Sequence, residues 1–164
     1  IRFRKYLNFL NFVKYIYFFY IKENIHLKKK VGSSQNTLSK ILERSKFDPL
    51  YTLLKIDIDG DEYKIINEIK NYNFFGLIIE FENLNKNIKK VEKFIRSDKN
   101  FELIHIHGNN FSPVIDHIPD SIELSFVNKN FVDVKKKNHK KYPIKNLDYP
   151  NNIMKKDIEL IFKK

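Results

Sequence analysis

Apolar residues along the chain fall into two kinds of pattern. Some runs are continuously apolar and about four to eight residues long, which is typical of buried strands. Other stretches place apolar side chains three and four residues apart, which predicts amphipathic helices. Thr37 is a predicted N-cap for the first helix, because its hydroxyl can accept a hydrogen bond from a free backbone N–H. The predicted order is helix 37–44, strand 52–58, helix 62–72, strand 77–81, helix 85–97 and strand 101–106.

Strands that alternate with helices predict βαβ units and a mainly parallel sheet, so the expected fold class is α/β. Two further strands, at 121–127 and 157–162, follow without an intervening helix, and we therefore expect an antiparallel strand at the carboxyl-terminal edge of the sheet. The α/β domain is expected to span residues 31–164. The lysine-rich stretch 135–141 is predicted to be an exposed loop.

Residues 1–30 differ from the rest in composition, being basic at first and then aromatic. They show no small-residue cleavage site of a signal peptide, and the apolar run at 15–21 is too short to span a bilayer. We predict a helix or strand that packs on a core; the alternative is a segment that lies on an anionic membrane surface. Because the sequence begins at Ile1, we expect a fragment or a processed product.

Composition limits the classes of function. The 164 residues carry 31 Lys and Arg against 20 Asp and Glu, a net charge of +11, but only four of the basic residues are arginine. Nucleic-acid readers favour arginine, so we attribute the charge to codon drift and keep nucleic-acid binding as the lesser alternative. The absence of cysteine excludes disulfides and thiolate chemistry and fits a cytoplasmic protein. The four glycines are too dispersed for a P-loop or a G-x-G-x-x-G motif.

Polar residues follow three predicted strands in a regular way. Asp57 and Asp59 end the first strand, Glu80 and Glu82 the second, and a His-Ile-His sequence at 105–107 the third. Residues two apart on a strand project to one face, and the carboxyl ends of parallel strands meet at one edge. We therefore expect a shared rim of carboxylates and imidazoles, able to supply a general base or to bind a divalent cation, although no metal is assigned. The alternatives are helix-capping acids and structural histidines.

The sequence LLKIDIDGDE at 53–62 resembles the signature of FkbM-type methyltransferases, which use S-adenosylmethionine. The stretches at 37–43, 77–82 and 105–111 are similar to further segments of that family in the same order, so that the resemblance covers roughly residues 30–162. It implies part of a Rossmann-like methyltransferase sheet. It also implies O-methyl transfer to a small-molecule or glycan acceptor, that is, a hydroxyl of a sugar or natural product.

The same resemblance implies roles for individual residues. Asp57, Asp59 and Glu62 match positions of the signature and are expected to bind the cofactor, with Asp57 near the methyl-transfer site; Asp57 or His105 is the expected catalytic base. The polar strand ends, rather than the signature, supply the expected substrate-binding residues Glu80, Glu82, His107, Asn109 and Asn110. No D-x-G-x-x-x-G cofactor loop precedes Thr37, so the chain resembles the carboxyl-terminal half of such an enzyme. The expected partner is a missing amino-terminal half or a second copy. The alternatives are a non-catalytic remnant whose sheet edge binds a partner, and a basic nucleic-acid-binding module.

Overall fold

The computed structural model of the chain describes residues 11, 13, 14, 16–18, 31, 37–133 and 141–160. The chain divides into two compact units, Ile1–Lys30 and Val31–Lys164. In the first unit, the described residues are helical and exposed. The rest of the aromatic segment and most of the predicted lysine-rich loop lie outside the described residues. In the described part of the chain, no helix is both long and apolar enough to cross a membrane.

The second unit has a mixed α/β structure, which confirms the predicted class. The first helix begins where the sequence predicts, because Thr37 Oγ1 accepts a hydrogen bond from the Lys40 N–H. It ends at Lys46, which has a left-handed backbone (φ 57°) and donates its N–H to Leu42 O. The helices are α1 Leu38–Ser45, α2 Glu62–Ile69 and α3 Leu84–Ser97, and the strands are β1 Leu53–Ile56, β2 Gly76–Phe81, β3 Phe101–Gly108, β4 Val114–Ile115, β5 Ile118–Pro119 and β6 Ile122–Asn128.

Four of the strands form one sheet in the order β1-β2-β6-β3. β1 and β2 are parallel, and β6 is antiparallel to both of its neighbours. The prediction of a mainly parallel sheet with an antiparallel edge is therefore wrong in two respects: only the β1–β2 pairing is parallel, and the antiparallel strand is internal. The reason is that no helix separates β3 from β6, so the chain reverses and β6 inserts beside β2. The predicted strand at 157–162 is reduced to a bridge between Tyr142 and Leu160, with residues 161–164 outside the described part.

Alternation along the strands gives the sheet an apolar face and a polar face. In β2, Leu77, Ile79 and Phe81 are fully buried, whereas Ile78 and Glu80 point to the opposite side. The apolar face packs against all three helices in one core. The helix residues buried in that core are Leu38 and Leu42 of α1, Ile65, Ile66 and Ile69 of α2, and Leu84, Val91 and Phe94 of α3.

Residues 141–160, which we call the C-terminal strap, contact β3 and the loop that follows it. The strap contains no helix, and its backbone bridge joins Tyr142 to Leu160. It comes so close to the end of β3 that a Cβ atom placed on Gly108 would lie 3.4 Å from Ile158 Cβ and 3.0 Å from Pro119 Cγ. Glycine at position 108 thus permits the close approach of the strap and the loop.

Candidate functional site

The polar face of the sheet carries two rows of facing side chains. Glu80 of β2, Glu123 of β6 and His107 of β3 are opposite one another, and Ser125 and His105 are opposite in the next row. Residues that are paired across strands point to the same face. Glu80 and the two histidines lie near the carboxyl ends of β2 and β3, where ligands bind in sheets of this kind.

An irregularity in β3 brings the histidines to this face. Leu103 pairs with Phe126, which is buried in the core, but the register then shifts, and His105 pairs with Ser125. Simple alternation from Leu103 would have pointed His105 toward the core. The extra residue, Ile104, reverses the phase, which is a common function of β-bulges near active sites.

Each histidine forms a pair with an aspartate of the C-terminal strap. His105 Nε2 lies 2.7 Å from Asp148 Oδ1, and His107 Nε2 lies 3.0 Å from Asp157 Oδ2. The Asp148 side chain is only 6% exposed, and its Oδ2 accepts a hydrogen bond from the Ile144 N–H at 2.6 Å. A buried carboxylate with these partners fixes the orientation of the imidazole. In the tautomer that donates from Nε2, the Nδ1 atom of His105 keeps a lone pair that can accept a proton.

A cavity of about 480 Å³ lies between the polar face and the strap. This volume is within the range of small-molecule sites, about 300–1,000 Å³. The lining residues are mostly polar on both sides, and Ile104 of the sheet and Leu147 and Tyr149 of the strap add apolar or aromatic surface. They are Glu80, Ile104, His105, His107, Asn109, Glu123, Ser125, Leu147, Asp148, Tyr149 and Asn151.

Hydrogen bonds hold the two glutamates of this cavity. Glu80 Oε1 accepts from Asn109 Nδ2 at 2.7 Å and from Ser121 Oγ at 2.8 Å. Lys55 of β1 donates from Nζ to Glu123 Oε2 at 2.8 Å. The hydrogen bond to Glu123, and after it the negative charges around Lys55, raise the pKa of that lysine, although its desolvation acts in the opposite direction. Lys55 is therefore a cation in the folded protein.

The acidic turn after β1 has a tight backbone. Asp59 (φ 50°) and Gly60 (φ 92°) are both left-handed, and the Asp61 N–H donates to Ile58 O at 3.3 Å. Successive left-handed residues of this kind favour an Asp-Gly sequence. Asp57 and Asp59 are exposed, and Asp57 is not among the residues that line the cavity. The structure thus brings together Glu80, the histidines and Asn109 in one cavity, and places Asp57 beside it rather than within it.

Glu62, a cofactor-binding residue in the sequence analysis, has a structural role in the fold. Its side chain is completely buried, and its two oxygens accept hydrogen bonds from the Gly60 N–H at 2.9 Å and the Glu82 N–H at 2.8 Å. It therefore joins the turn after β1 to the end of β2. With both oxygens committed inside the protein, Glu62 offers none to a cofactor.

Glu82, which follows β2, is close enough to four other acidic side chains to feel their charge. Partial burial, followed by the negative charges of Asp59, Glu62, Glu80 and Asp57, raises the pKa of its carboxyl above the ordinary value of 4.5. The folded protein thus binds this proton more tightly than the unfolded chain does. Stability contributed by protonated Glu82 is complete below pH 4.5 and is lost as pH rises through the folded-state pKa.

We expect Glu82→Gln to stabilise the protein at neutral pH, because it removes a repelled charge and keeps the backbone bond to Glu62. The melting temperature should rise by about 1–3 °C at pH 7 and by less at about pH 3.5, where Glu82 is protonated in both states. Thermal unfolding followed by circular dichroism measures this. The matched variant Glu92→Gln, on the exposed side of α3, should change little at either pH. A gain of equal size at both values would contradict the electrostatic cause.

The two asparagines after β3 have different environments. Asn109 lines the cavity and supports Glu80, whereas Asn110 is buried and bound to the strap. Asn110 Nδ2 donates to Asn152 O at 2.9 Å, and Asn110 Oδ1 accepts from the Asn152 N–H at 2.6 Å. Both polar groups of Asn110 are used internally, so the geometry gives it a structural role in place of the predicted substrate contact.

Sequence analysis missed several residues of the cavity. The alternation of polar and apolar residues in the strand at 121–127 was a usable signal for Glu123 and Ser125, which occupy its polar positions. The strap residues Asp148, Tyr149 and Asp157 carried no such signal, because the strap has no periodic pattern. Their position depends on contacts with residues more than forty positions earlier, as the His105–Asp148 separation of 43 illustrates.

Within the described residues, no group of three or more His, Cys, Asp or Glu side chains is arranged to hold a metal ion. Comparisons of the chain with protein-family models, with curated proteins and with solved structures find no match. Fold and site together define a mixed α/β protein with a polar cavity at the carboxyl ends of two strands. Its function is therefore argued from this geometry and from the resemblance of the 53–62 segment.

Proposed function

We propose that the chain is the carboxyl-terminal half of an S-adenosylmethionine-dependent methyltransferase that methylates a hydroxyl of a sugar or natural product. The observation that carries the proposal is the position of the oriented His105–Asp148 pair. It lies in a cavity at the end of the sheet to which the acidic turn after β1 also belongs. The turn follows β1 and His105 lies on β3, which are at opposite edges of the four-stranded sheet, so a cofactor held at the turn would have to extend past β2 and β6 to meet an acceptor beside His105.

The exposed acids of the turn are the residues proposed to hold the cofactor. Bound S-adenosylmethionine would supply an electrophilic methyl group. Asp57 and Asp59 fit its hydroxyl and ammonium groups, because exposed carboxylates accept hydrogen bonds from both. Asp57 also contributes to the negative field that acts on Lys55 and Glu82. Glu62 is excluded from this role by its internal hydrogen bonds.

His105 is the proposed general base. If a bound cofactor supplied its methyl group to the acceptor oxygen, Nδ1 of His105 would take the hydroxyl proton. Asp148 holds the ring through Nε2 and stabilises the imidazolium that forms. The His105 and Asp148 side chains are only 16% and 6% exposed, and this partial burial strengthens the interaction between them.

The proposal predicts that the full chain binds S-adenosylmethionine. In an isothermal titration we expect a dissociation constant of about 0.1–1 mM, at the weak end of the range for enzyme ligands, because the chain is proposed to hold only part of the cofactor site. Asp57→Asn should weaken binding about tenfold or more, because it removes a charged hydrogen-bond acceptor. The control variant Glu92→Gln should bind as the wild type does. Failure of the wild-type chain to bind millimolar cofactor would contradict the proposal.

One observation favours a second candidate function, that of an interaction module. Among the described strands, β1 is at an edge of the sheet; its first residue, Leu53, is 57% exposed, and Tyr51 just before it is 80% exposed. An edge strand with apolar neighbours can accept a strand from a partner. A non-catalytic interaction module needs no cofactor. If this second function is correct, S-adenosylmethionine should not bind the chain in the same titration.

A further inference from the structure

The floor of the cavity places two negative charges opposite each other. Glu80 and Glu123 are direct partners in the β2–β6 ladder, a position in which like charges destabilise a sheet. Lys55 neutralises Glu123 only from the β1 side, through Oε2. Asn109 and Ser121 occupy Glu80 Oε1, and no described residue donates to Glu80 Oε2. One oxygen of each glutamate is thus left for a donor from the cavity.

The charge of the cavity differs from that of the chain. The protein as a whole carries +11, yet the described residues that line the cavity include no lysine or arginine. They include the carboxylates Glu80, Glu123 and Asp148. A phosphate or carboxylate ligand would therefore meet no lysine or arginine in this lining, whereas an ammonium group would meet the carboxylates of Glu80 and Glu123. The cavity selects for positive charge.

The other lining residues suit a hydroxylated ring. Asn151 and Ser125 offer donors and acceptors for hydroxyl groups, and Tyr149, which is 75% exposed, offers an aromatic surface. We propose that the cavity binds a hydroxylated organic amine, such as an amino sugar, with its ammonium group between Glu80 and Glu123. The statement that this amine is a methyl acceptor rests on the function proposed above, but its binding does not.

Three sugars with the same ring but different charge test the proposal: relative to neutral glucose, glucosamine has an ammonium at C2 and glucuronate has a carboxylate at C6. Glucosamine, glucose and glucuronate are titrated into the full chain at low ionic strength, without cofactor, and binding is followed by amide chemical shifts in ¹⁵N-labelled protein. We expect glucosamine to bind about tenfold or more tightly than glucose, because it adds charge-assisted hydrogen bonds, and glucuronate to bind most weakly. The shifted signals should include residues of the cavity floor.

Glu80→Gln is the critical variant, since it keeps an acceptor for Asn109 and removes the charge. It should reduce the preference for glucosamine over glucose to about twofold or less, while Glu92→Gln retains it. Equal binding of glucosamine and glucose by the wild type, or no binding of either, would overturn the proposal. Displacement of glucosamine by an equal concentration of Mg²⁺ would also overturn it, in favour of a metal site.

These titrations contain no S-adenosylmethionine, so their outcome is separate from the cofactor test. If glucosamine binds and the cofactor does not, the proposed methyltransferase function fails and the amine site remains. If the cofactor binds and glucosamine does not, the amine site fails and the methyltransferase proposal remains.

Discussion

Glu62→Ala is expected to lower the free energy of unfolding by about 2–5 kcal/mol. The substitution removes a fully buried carboxylate and leaves the N–H groups of Gly60 and Glu82 without their acceptors. Each unsatisfied buried donor costs about 1–3 kcal/mol, and hydrogen bonds to a charged acceptor are at the upper end of the usual range. Alanine is a good helix former, so the loss cannot come from the propensity of the first turn of α2. Urea unfolding followed by far-ultraviolet circular dichroism measures the change.

Two further variants identify the cause. Glu62→Gln keeps one acceptor oxygen but turns a donor toward the other N–H, so we expect a loss smaller than that of Glu62→Ala. Glu92→Ala, a matched change on the exposed side of α3, should alter stability by no more than about 0.5 kcal/mol. If Glu62→Ala remained within about 1 kcal/mol of the wild type, water would have to replace the carboxylate, and the proposed link between the turn and β2 would be wrong.

Local patterns predicted the elements of the fold, but not their arrangement. The helix at 85–97 was predicted to within a residue because apolar side chains such as Val91 and Phe94 recur at helical spacing, and the same side chains are buried in the core. The internal position of β6 was not predicted, since pairing between strands depends on contacts distant in sequence. The shift after Leu103 was not predicted either, because a bulge leaves no periodic signal.

The candidate site shows the same limit. The polar pairs at 80–82 and 105–107 mark the right region of the sheet, because a charged residue that ends an apolar strand is conspicuous in a sequence. Their partners are not conspicuous: Asp148 and Asp157 lie in an irregular segment that is placed only by tertiary contacts. Without those contacts the sequence could not distinguish a buried acid with internal hydrogen bonds, such as Glu62, from an exposed acid such as Asp57, for which cofactor binding is proposed.

The His–Asp pairs connect the candidate chemistry to the stability of the strap. Asp148 orients the proposed base and, together with Asp157, also fastens the strap to β3. Leu147, Tyr149 and Asn151 are carried on the same strap and form a wall of the cavity. Detachment of the strap would therefore disorder the base and open the cavity in a single event. A substitution far from the reacting groups, but within this attachment, should affect both.

Asn110→Ala is expected to release the middle of the strap while the core remains folded. Asn110 is only 4% exposed, and its side chain exchanges two hydrogen bonds with the backbone of Asn152. The loss of two buried hydrogen bonds, about 2–3 kcal/mol, corresponds to a decrease of about 30–150-fold in the protection of the Asn152 amide from hydrogen exchange. Amide protons of β2 should keep their protection, because their partners lie in the sheet.

Asn67→Ala, on the exposed side of α2, provides the matched control and should leave the exchange of the strap unchanged. In the Asn110 variant the cavity loses a fixed wall, so glucosamine binding should weaken together with the protection of Asn152. Unchanged protection at Asn152 would mean that the two His–Asp pairs hold the strap alone. In that case the hydrogen bonds between Asn110 and Asn152 would contribute little to holding the strap. Asp148 and Asp157 would then both orient the histidines and provide the main attachment of the strap to β3.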